Sequence, residues 1–138
     1  MELASKKVLT LEAAKLIAAA AHSEAQKNGW NIVICVVDDG GHLLYLERMD
    51  GAQLASVQVA QDKARTAVLF KRPSKALEEA VAGGRMVVLK LAGATPVEGG
   101  IPILVGTQLV GAIGVSGASS SQDGQVAAAG LAAVDGFQ

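Results

Sequence analysis

The first strong pattern in the chain is a helical one. Its apolar residues recur at intervals of three or four, which places them on one face of a helix: Leu11, Ala14, Ile17, Ala18, Ala21 and Ala25. Thr10 precedes the pattern as an N-cap, and Gly29 follows it as a stop. The pattern predicts a helix from Leu11 to about Asn28 that covers a sheet with its apolar face.

A hairpin is predicted directly after this helix. The run from Ile32 to Val37 is apolar and rich in β-branched residues, which is typical of a buried strand. The turn-forming residues Asp38-Asp39-Gly40-Gly41 come next, and the chain returns from His42 to Arg48 as a second strand.

The middle of the chain predicts two helices and one further element. One helix runs from about Gln53 to Phe70, and a shorter one runs from Ser74 to Ala82, where Gly83-Gly84 ends it. The segment from Arg85 to Leu89, which is mostly apolar, then predicts either a strand or a loop.

The last part of the chain predicts a second hairpin and a final helix. Its strands, Ile101 to Val105 and Leu109 to Val115, pair across Gly106-Thr107-Gln108, and an alanine-rich helix opens at Ser121 with Asp123 and reaches about Val134. Two hairpins separated by helices exclude a purely parallel sheet. We expect an α/β (α+β) sandwich, an antiparallel sheet of about five strands with helices packed on it, as one domain over residues 1–138.

Composition limits the partners of this chain. Apolar residues make up 51% of its 138 residues but aromatic residues only 3%, and its net charge is −1. Few rings are left for base stacking, so we expect no nucleic-acid partner. No apolar run reaches the roughly 20 residues of a membrane span, and the N-terminus lacks the features of a signal peptide. We therefore expect a cytoplasmic protein without a membrane partner.

Few side chains are available to bind a metal. Cys35 is the only cysteine and lies within the first predicted strand, so we expect a small buried side chain, no disulfide and no cysteine zinc site. His22 in the first helix and His42 at the start of the second strand are the only histidines. One imidazole suffices as a proximal ligand of heme, so each is a candidate axial ligand, and the alternative for each is a surface or structural role.

Four glycines lie in or directly before the strands of the closing hairpin, beside a single charged residue. The glycines are Gly99, Gly100, Gly111 and Gly114, and the charged residue is Glu98. A glycine inside a strand forfeits side-chain packing, so this density predicts bulges, tight bends or the close approach of a ligand or another subunit. The Gly99-Gly100 turn is therefore a candidate ligand site.

A polar series extends from the second strand into the second helix and includes Arg48, Asp50 and Lys63. It is either a solvated face with ion pairs or a clamp in which Arg48 and Lys63 hold a carboxylate or propionate. The clamp requires that the fold bring Glu98-Gly99-Gly100 nearby. The candidate ligand-binding residues are thus Arg48, Asp50, Lys63, Glu98, Gly99 and Gly100.

Six short segments, in this order, resemble one known family. They are Val37-Asp38-Asp39-Gly40-Gly41-His42-Leu43, Arg48-Met49-Asp50-Gly51-Ala52, Asp62-Lys63-Ala64-Arg65-Thr66-Ala67, Glu98-Gly99-Gly100-Ile101-Pro102, Gly111-Ala112-Ile113-Gly114-Val115-Ser116-Gly117 and Gln122-Asp123. Together they strongly resemble the GlcG/HbpS-like family, also called the heme-degrading-domain family, which includes the C-terminal domain of PduO. The resemblance extends from about Leu9 to Ala133.

The resemblance implies a sandwich somewhat like the profilin and PAS folds, assembled into dimers and often octamers. For function it implies heme binding in some members and a part in glycolate, diol or aromatic-compound metabolism in others, and the fold does not choose among these. One departure is Ala94-Thr95-Pro96-Val97-Glu98, where many relatives carry an aromatic residue and extra glycines.

Two functions stay open at this point. The leading hypothesis is an oligomeric, cytoplasmic small-ligand-binding protein, with heme on His22 or His42 as one candidate ligand. The alternative is a cofactor-independent hydrolase or isomerase of a small carboxylated metabolite, in which Glu98 is the acid or base and Arg48 and Lys63 hold the anion.

Overall fold

The sheet has four antiparallel strands in a computed structural model that describes residues 1–138. The strands are β1 (Val33–Asp38), β2 (Leu43–Arg48), β3 (Gly100–Val105) and β4 (Gln108–Ser116). Their spatial order is β2-β1-β4-β3, so the two hairpins meet where β1 pairs with β4. The expected α+β class with an antiparallel sheet is confirmed, with four strands in place of about five.

Four α-helices accompany the sheet: α1 (Leu11–Asn28), α2 (Ser56–Phe70), α3 (Ser74–Ala82) and α4 (Ser120–Gly130). The predicted ends of α1 and α3 are confirmed. At the start of α1, Thr10 Oγ1 accepts a hydrogen bond from the Ala13 amide at 3.1 Å. None of the helices is both long enough and apolar enough to cross a membrane.

Of the strand and the loop predicted as alternatives from Arg85 to Leu89, the strand is wrong. Residues Met86–Lys90 form a 3₁₀ helix that packs on α3 instead. A strand needs a hydrogen-bonded neighbour and one face to bury, whereas only Val88 in this segment is buried. The final helix is also shorter than predicted, since Ser119 is its N-cap and a second 3₁₀ helix, Leu131–Gly136, replaces its last turns.

The two faces of the sheet pack against different helices. In β1, Ile34 and Val36 belong to a core with α1 and α4, while Val33, Cys35 and Val37 belong to a second core with α2. This alternation is the two-residue period of a strand whose two faces are both covered. The helices therefore form a layer on each side of the sheet.

The glycines of the closing hairpin let α2 lie unusually close to the sheet. A Cβ on Gly114 would meet the backbone of Ala60 and Ala64, and a Cβ on Gly100 would meet the backbone carbonyl of Lys63. The close approach predicted at these positions is thus made by a helix of the same chain. Small side chains on α2, including Ala60 and Ala64, complete the contact.

Candidate functional site

Lys63 on α2 is buried and hydrogen-bonded to two groups of the protein. Its side chain is 2% exposed, and its Nζ donates to Asp123 Oδ2 at 3.1 Å and to the Val115 carbonyl at 3.0 Å. Because α2 and α4 lie on opposite faces of the sheet, the lysine side chain passes the end of the sheet and joins the two helical layers. We call this contact the Lys63–Asp123 pair.

Gly99 makes room for this lysine at the start of β3. Its φ is +136°, and a Cβ there would lie 2.9 Å from both Cδ and Nζ of Lys63. Gly100 next to it lies against the Lys63 backbone. The two adjacent glycines therefore accommodate one lysine, Gly99 its side chain and Gly100 its main chain.

Asp123 belongs to this centre, although the sequence pointed to it only as part of a helix start and of the family segment Gln122-Asp123. Its Oδ1 accepts a hydrogen bond from the Ala118 amide at 2.9 Å. Burial raises the pKa of Asp123 above its usual value, while the Ala118 amide and the Lys63 ammonium act in the opposite direction. A buried lysine requires a carboxylate partner. The sequence does not show that Lys63 is buried, so it gave no reason to look for that partner.

Glu98 lies beside the pair without joining it. Its backbone amide donates to Glu78 Oε1 at 3.3 Å, and its side chain lies against α4, where a Cβ on Gly124 would approach Glu98 Cγ and Cδ at 2.9 Å. The residue is half-buried, and its carboxylate has no hydrogen-bond or ion-pair partner in the protein.

Arg48 and Asp50 lie at a different place, a cavity of about 450 Å³ between α1 and the end of β2. We call it the His22 cavity. Nine residues line it: His22, Gln26, Gly29, Trp30, Asn31, Glu47, Arg48, Met49 and Asp50. Neither Arg48 nor Asp50 forms an ion pair, so both charges remain available to a ligand.

His22 is oriented in this cavity by Glu47. The distance from His22 Nδ1 to Glu47 Oε2 is 2.6 Å, and Tyr45 Oη donates to the other carboxylate oxygen at 3.3 Å. An ionised carboxylate only accepts hydrogen bonds, so Nδ1 carries the proton. The other ring nitrogen, Nε2, has no partner in the protein, and in the neutral ring it holds the lone pair.

His42 has a different setting. Its side chain is 82% exposed, and its Nδ1 lies 3.4 Å from Asp38 Oδ1. The same oxygen accepts the Gly40 and His42 amides at 2.9 Å each. This arrangement is that of a turn stabilised by an aspartate, with the imidazole in solvent.

The predicted site residues fall into two groups. Lys63, Glu98, Gly99 and Gly100 lie together at the start of β3, and His22, Arg48 and Asp50 share the His22 cavity. Lys63 is buried and bonded to Asp123, so it does not reach the cavity that Arg48 lines.

The single thiol takes no part in either group. Cys35 is buried in β1, and burial raises its pKa to about 12. Such a thiol stays protonated and unreactive near neutral pH.

Comparison with known proteins places the chain in a family. The family described as haem degrading protein HbpS-like matches residues 9–132. The chain belongs to the HbpS-like family. The resemblance noted from the six segments is thereby confirmed.

Individual HbpS-like relatives extend this comparison. Protein GlcG of Escherichia coli K12 is 46% identical over 112 residues, which are 81% of this chain and 84% of GlcG. A solved structure of HbpS superposes with a TM-score of 0.87 at 38% identity over 95% of this chain and 93% of that one. A structure described as a PduOC:heme complex has a TM-score of 0.82 at 30% identity and covers 92% and 95% of the two chains.

Proposed function

We propose that this chain binds heme in the His22 cavity, with His22 as the axial ligand. One observation carries the proposal: His22 Nδ1 is hydrogen-bonded to Glu47, which leaves Nε2 at a cavity as a nitrogen able to ligate iron. Metal-binding histidines in proteins commonly hydrogen-bond a carboxylate through the other ring nitrogen, which fixes the tautomer and raises the basicity of the ligand. The heme complex of a relative is consistent with this assignment.

Other residues of the cavity suit the rest of the cofactor. Arg48 is a planar cation without an ion-pair partner, so it is suited to a heme propionate. Trp30 and Met49 are the apolar side chains that line the cavity, and they would contact the porphyrin. Bound heme would supply a redox-active iron, and the chain would hold it and limit access of water.

We further propose that the protein assembles into a dimer or a higher oligomer, in line with the octamers that the family resemblance implies. Two apolar side chains cover only part of a porphyrin, so a second copy would complete the cavity. Exposed apolar side chains on the first 3₁₀ helix would be buried in such an assembly: Met86, Val87 and Leu89. Light scattering at micromolar concentration measures the mass, and a stable monomer would contradict the assembly.

The location and partners form part of the same proposal. We expect a cytoplasmic protein that binds a small molecule and copies of itself. The net charge of −1 and the scarcity of aromatic residues offer no surface for nucleic acid.

The decisive experiment is a hemin titration followed by the Soret band. Wild type and His42→Ala are expected to give the same saturable shift of the Soret band. His22→Ala lacks the axial ligand and is expected not to give this shift. His42→Ala is the matched control, because it removes the same ring from a solvent-exposed turn. The proposal fails if wild type shows no saturable shift, or if His22→Ala binds hemin with an unchanged spectrum.

A second candidate function rests on Glu98. Its half-buried carboxylate has no partner in the protein, as an acid or base awaiting a substrate would require. The enzyme alternative assigns Arg48 and Lys63 to the anion of a small carboxylated metabolite. Lys63 would first have to release Asp123, which weighs against its part in this mechanism.

The enzyme alternative has its own test. Glu98→Gln should abolish turnover of a carboxylated metabolite while the melting temperature and oligomer stay unchanged, since the side chain bonds nothing else. A Glu98→Gln protein with wild-type turnover would exclude Glu98 as the acid or base.

A further inference from the structure

The largest cavity in the molecule is lined by none of the predicted site residues. It has a volume of about 670 Å³ and follows the free edge of β3, between the α2–α3 connection and the second 3₁₀ helix. We call it the edge cavity. Its lining consists of Lys71, Arg72, Pro73, Ile101, Pro102, Leu104, Thr107, Leu109 and Leu131.

The walls of the edge cavity are mainly aliphatic. Ile101, Leu104, Leu109 and Leu131 supply branched side chains, and Leu104 is 51% exposed. Burying such surface against a hydrocarbon is favourable in proportion to the area removed from water. The strand edge itself does not suit another strand, because Pro102 lacks the amide that strand pairing requires. These features favour a small apolar ligand over a second copy.

Two cationic side chains, Lys71 and Arg72, also line the edge cavity. No acidic side chain lines the edge cavity, and neither Lys71 nor Arg72 forms an ion pair. Arg72 Nε donates to the Phe70 carbonyl at 2.9 Å, which orients the guanidinium and leaves its two terminal nitrogens free. A guanidinium held in this way is preorganised for a carboxylate.

The backbone at Lys71 adds an independent argument. Lys71 has φ +53° and is the only residue other than glycine with a positive φ. Its amide caps α2 by donating to the carbonyls of Ala67 and Val68, a task that glycine performs without strain. Strained backbone of this kind persists chiefly at functional positions. A lysine at a position suited to glycine indicates that its side chain is used.

We propose that the edge cavity binds a monocarboxylate with an aliphatic body. The carboxylate pairs with Arg72 and Lys71, and the hydrocarbon lies along Ile101, Leu104 and Leu131. The site is separate from the His22 cavity and independent of the heme proposal, because the two share no residue.

Calorimetric titration with three probes tests the chemistry of the site. Octanoate carries both the charge and the aliphatic body, octanol lacks the charge, and acetate lacks the body. Saturable binding of octanoate, at least tenfold tighter than either of the others, is expected. Equal binding of octanoate and octanol, or no saturable binding of octanoate, would overturn the proposal.

Variants locate the site. Arg72→Gln and Lys71→Gly should each weaken octanoate binding about tenfold, as expected for the loss of one charge-assisted contact. Leu104→Glu should abolish binding, because it places a carboxylate among the walls, and a half-exposed position tolerates the change. Lys75→Gln is the matched control, since Lys75 is an exposed cation on α3 that pairs with Glu79 and does not line the cavity.

Two results would contradict the assignment even if octanoate binds. If Lys71→Gly and Arg72→Gln alter thermal stability but not octanoate affinity, the two cations serve only the C-terminal end of α2. If octanoate competes with hemin, or if His22→Ala loses octanoate binding, the carboxylate occupies the His22 cavity. Unchanged octanoate binding in His22→Ala supports a separate site.

Discussion

The Lys63–Asp123 pair and the hydrogen-bonded pair of His22 and Glu47 each join distant parts of this chain, and they differ in what they leave open to a ligand. Lys63 and Asp123 connect α2 to α4, and their side chains are 2% and 3% exposed. His22 and Glu47 connect α1 to β2, and their side chains are 38% and 23% exposed. In each pair a nitrogen donates to a carboxylate: the Lys63 ammonium to Asp123, and the His22 ring to Glu47.

The difference shows that burial decides what a charged pair can do for a ligand. In the Lys63–Asp123 pair the carboxylate also accepts the Ala118 amide and the ammonium also donates to Val115, so the polar groups bond one another. In the His22–Glu47 pair, Nε2 remains free at a cavity. The first pair is closed to a ligand by its own contacts, whereas the second leaves a ring nitrogen open at a cavity.

The largest effect is expected from removing one partner of the buried pair. Asp123→Ala leaves the Lys63 ammonium uncompensated in the interior and orphans the Ala118 amide, so we expect a loss of about 3–5 kcal/mol in the free energy of unfolding. Urea denaturation followed by circular dichroism measures it. Asp135→Ala, an exposed control, should change the value by less than about 0.5 kcal/mol. A loss below about 1 kcal/mol in Asp123→Ala would show that the pair is dispensable.

The next largest loss of stability is expected from a side chain at Gly100, because it would crowd the main chain of Lys63. Gly100→Val places a Cβ on the Lys63 carbonyl, so we expect a loss of about 1–3 kcal/mol or failure to fold. Gly136→Ala is the control, because nothing lies near its Cβ position. Gly130→Ala should lie between them, since its Cβ would meet Ile113 Cδ1 at 2.8 Å and the Ile17 carbonyl at 3.1 Å. Wild-type stability of Gly100→Val would refute this packing.

A substitution in the half-exposed pair of His22 and Glu47 should lower the affinity for hemin and leave the stability of the fold nearly unchanged. Glu47→Gln keeps the shape of the side chain but no longer raises the basicity of His22, so hemin affinity should fall at least about tenfold. Its melting temperature should stay within a few degrees of wild type. Glu24→Gln, on the same helix as His22, should leave hemin affinity unchanged. Equal affinity in Glu47→Gln would mean that the carboxylate does not assist the ligand.

The smallest expected effect is a slope of stability with pH from Asp123. Burial raises its pKa in the folded chain above the usual 3.8, so the folded chain retains a proton that the unfolded chain has released. This contribution to stability is complete below pH 3.8 and is lost as the pH rises through the folded pKa. Unfolding free energies of wild type and Asp123→Asn, measured across acid pH, should differ by this slope. The opposite slope would show that the attraction of Lys63 outweighs burial.

Local signals predicted most of the fold. The bounds of α1 follow from Thr10 and Gly29, whose effects act within one turn of the helix. Both hairpins follow from short turns between apolar runs. For the segment from Arg85 to Leu89 the sequence left a strand or a loop open, because an apolar run does not reveal whether a neighbouring strand exists to pair with it.

The candidate site was predictable only in part. The sequence named His22 and His42 as equivalent ligands, and it named Lys63 and Arg48 as a clamp. What separates the histidines is the packing of α1 against β2, which brings Glu47 to His22. Lys63 resembles a solvated helix residue in sequence, and its partner Asp123 lies 60 positions away, so no local pattern reports the pair.

By itself, then, the sequence determined most of the helices, both hairpins and the family, because caps, turns and side-chain periodicity act over a few residues and the six segments all lie within the family match. The tertiary structure alone decided which charges are buried and which face a cavity. Burial depends on contacts between elements far apart in the chain, as Lys63 passing Gly99 to reach Asp123 illustrates. The energetic cost of an unpaired buried charge then determines which residues remain available to a ligand.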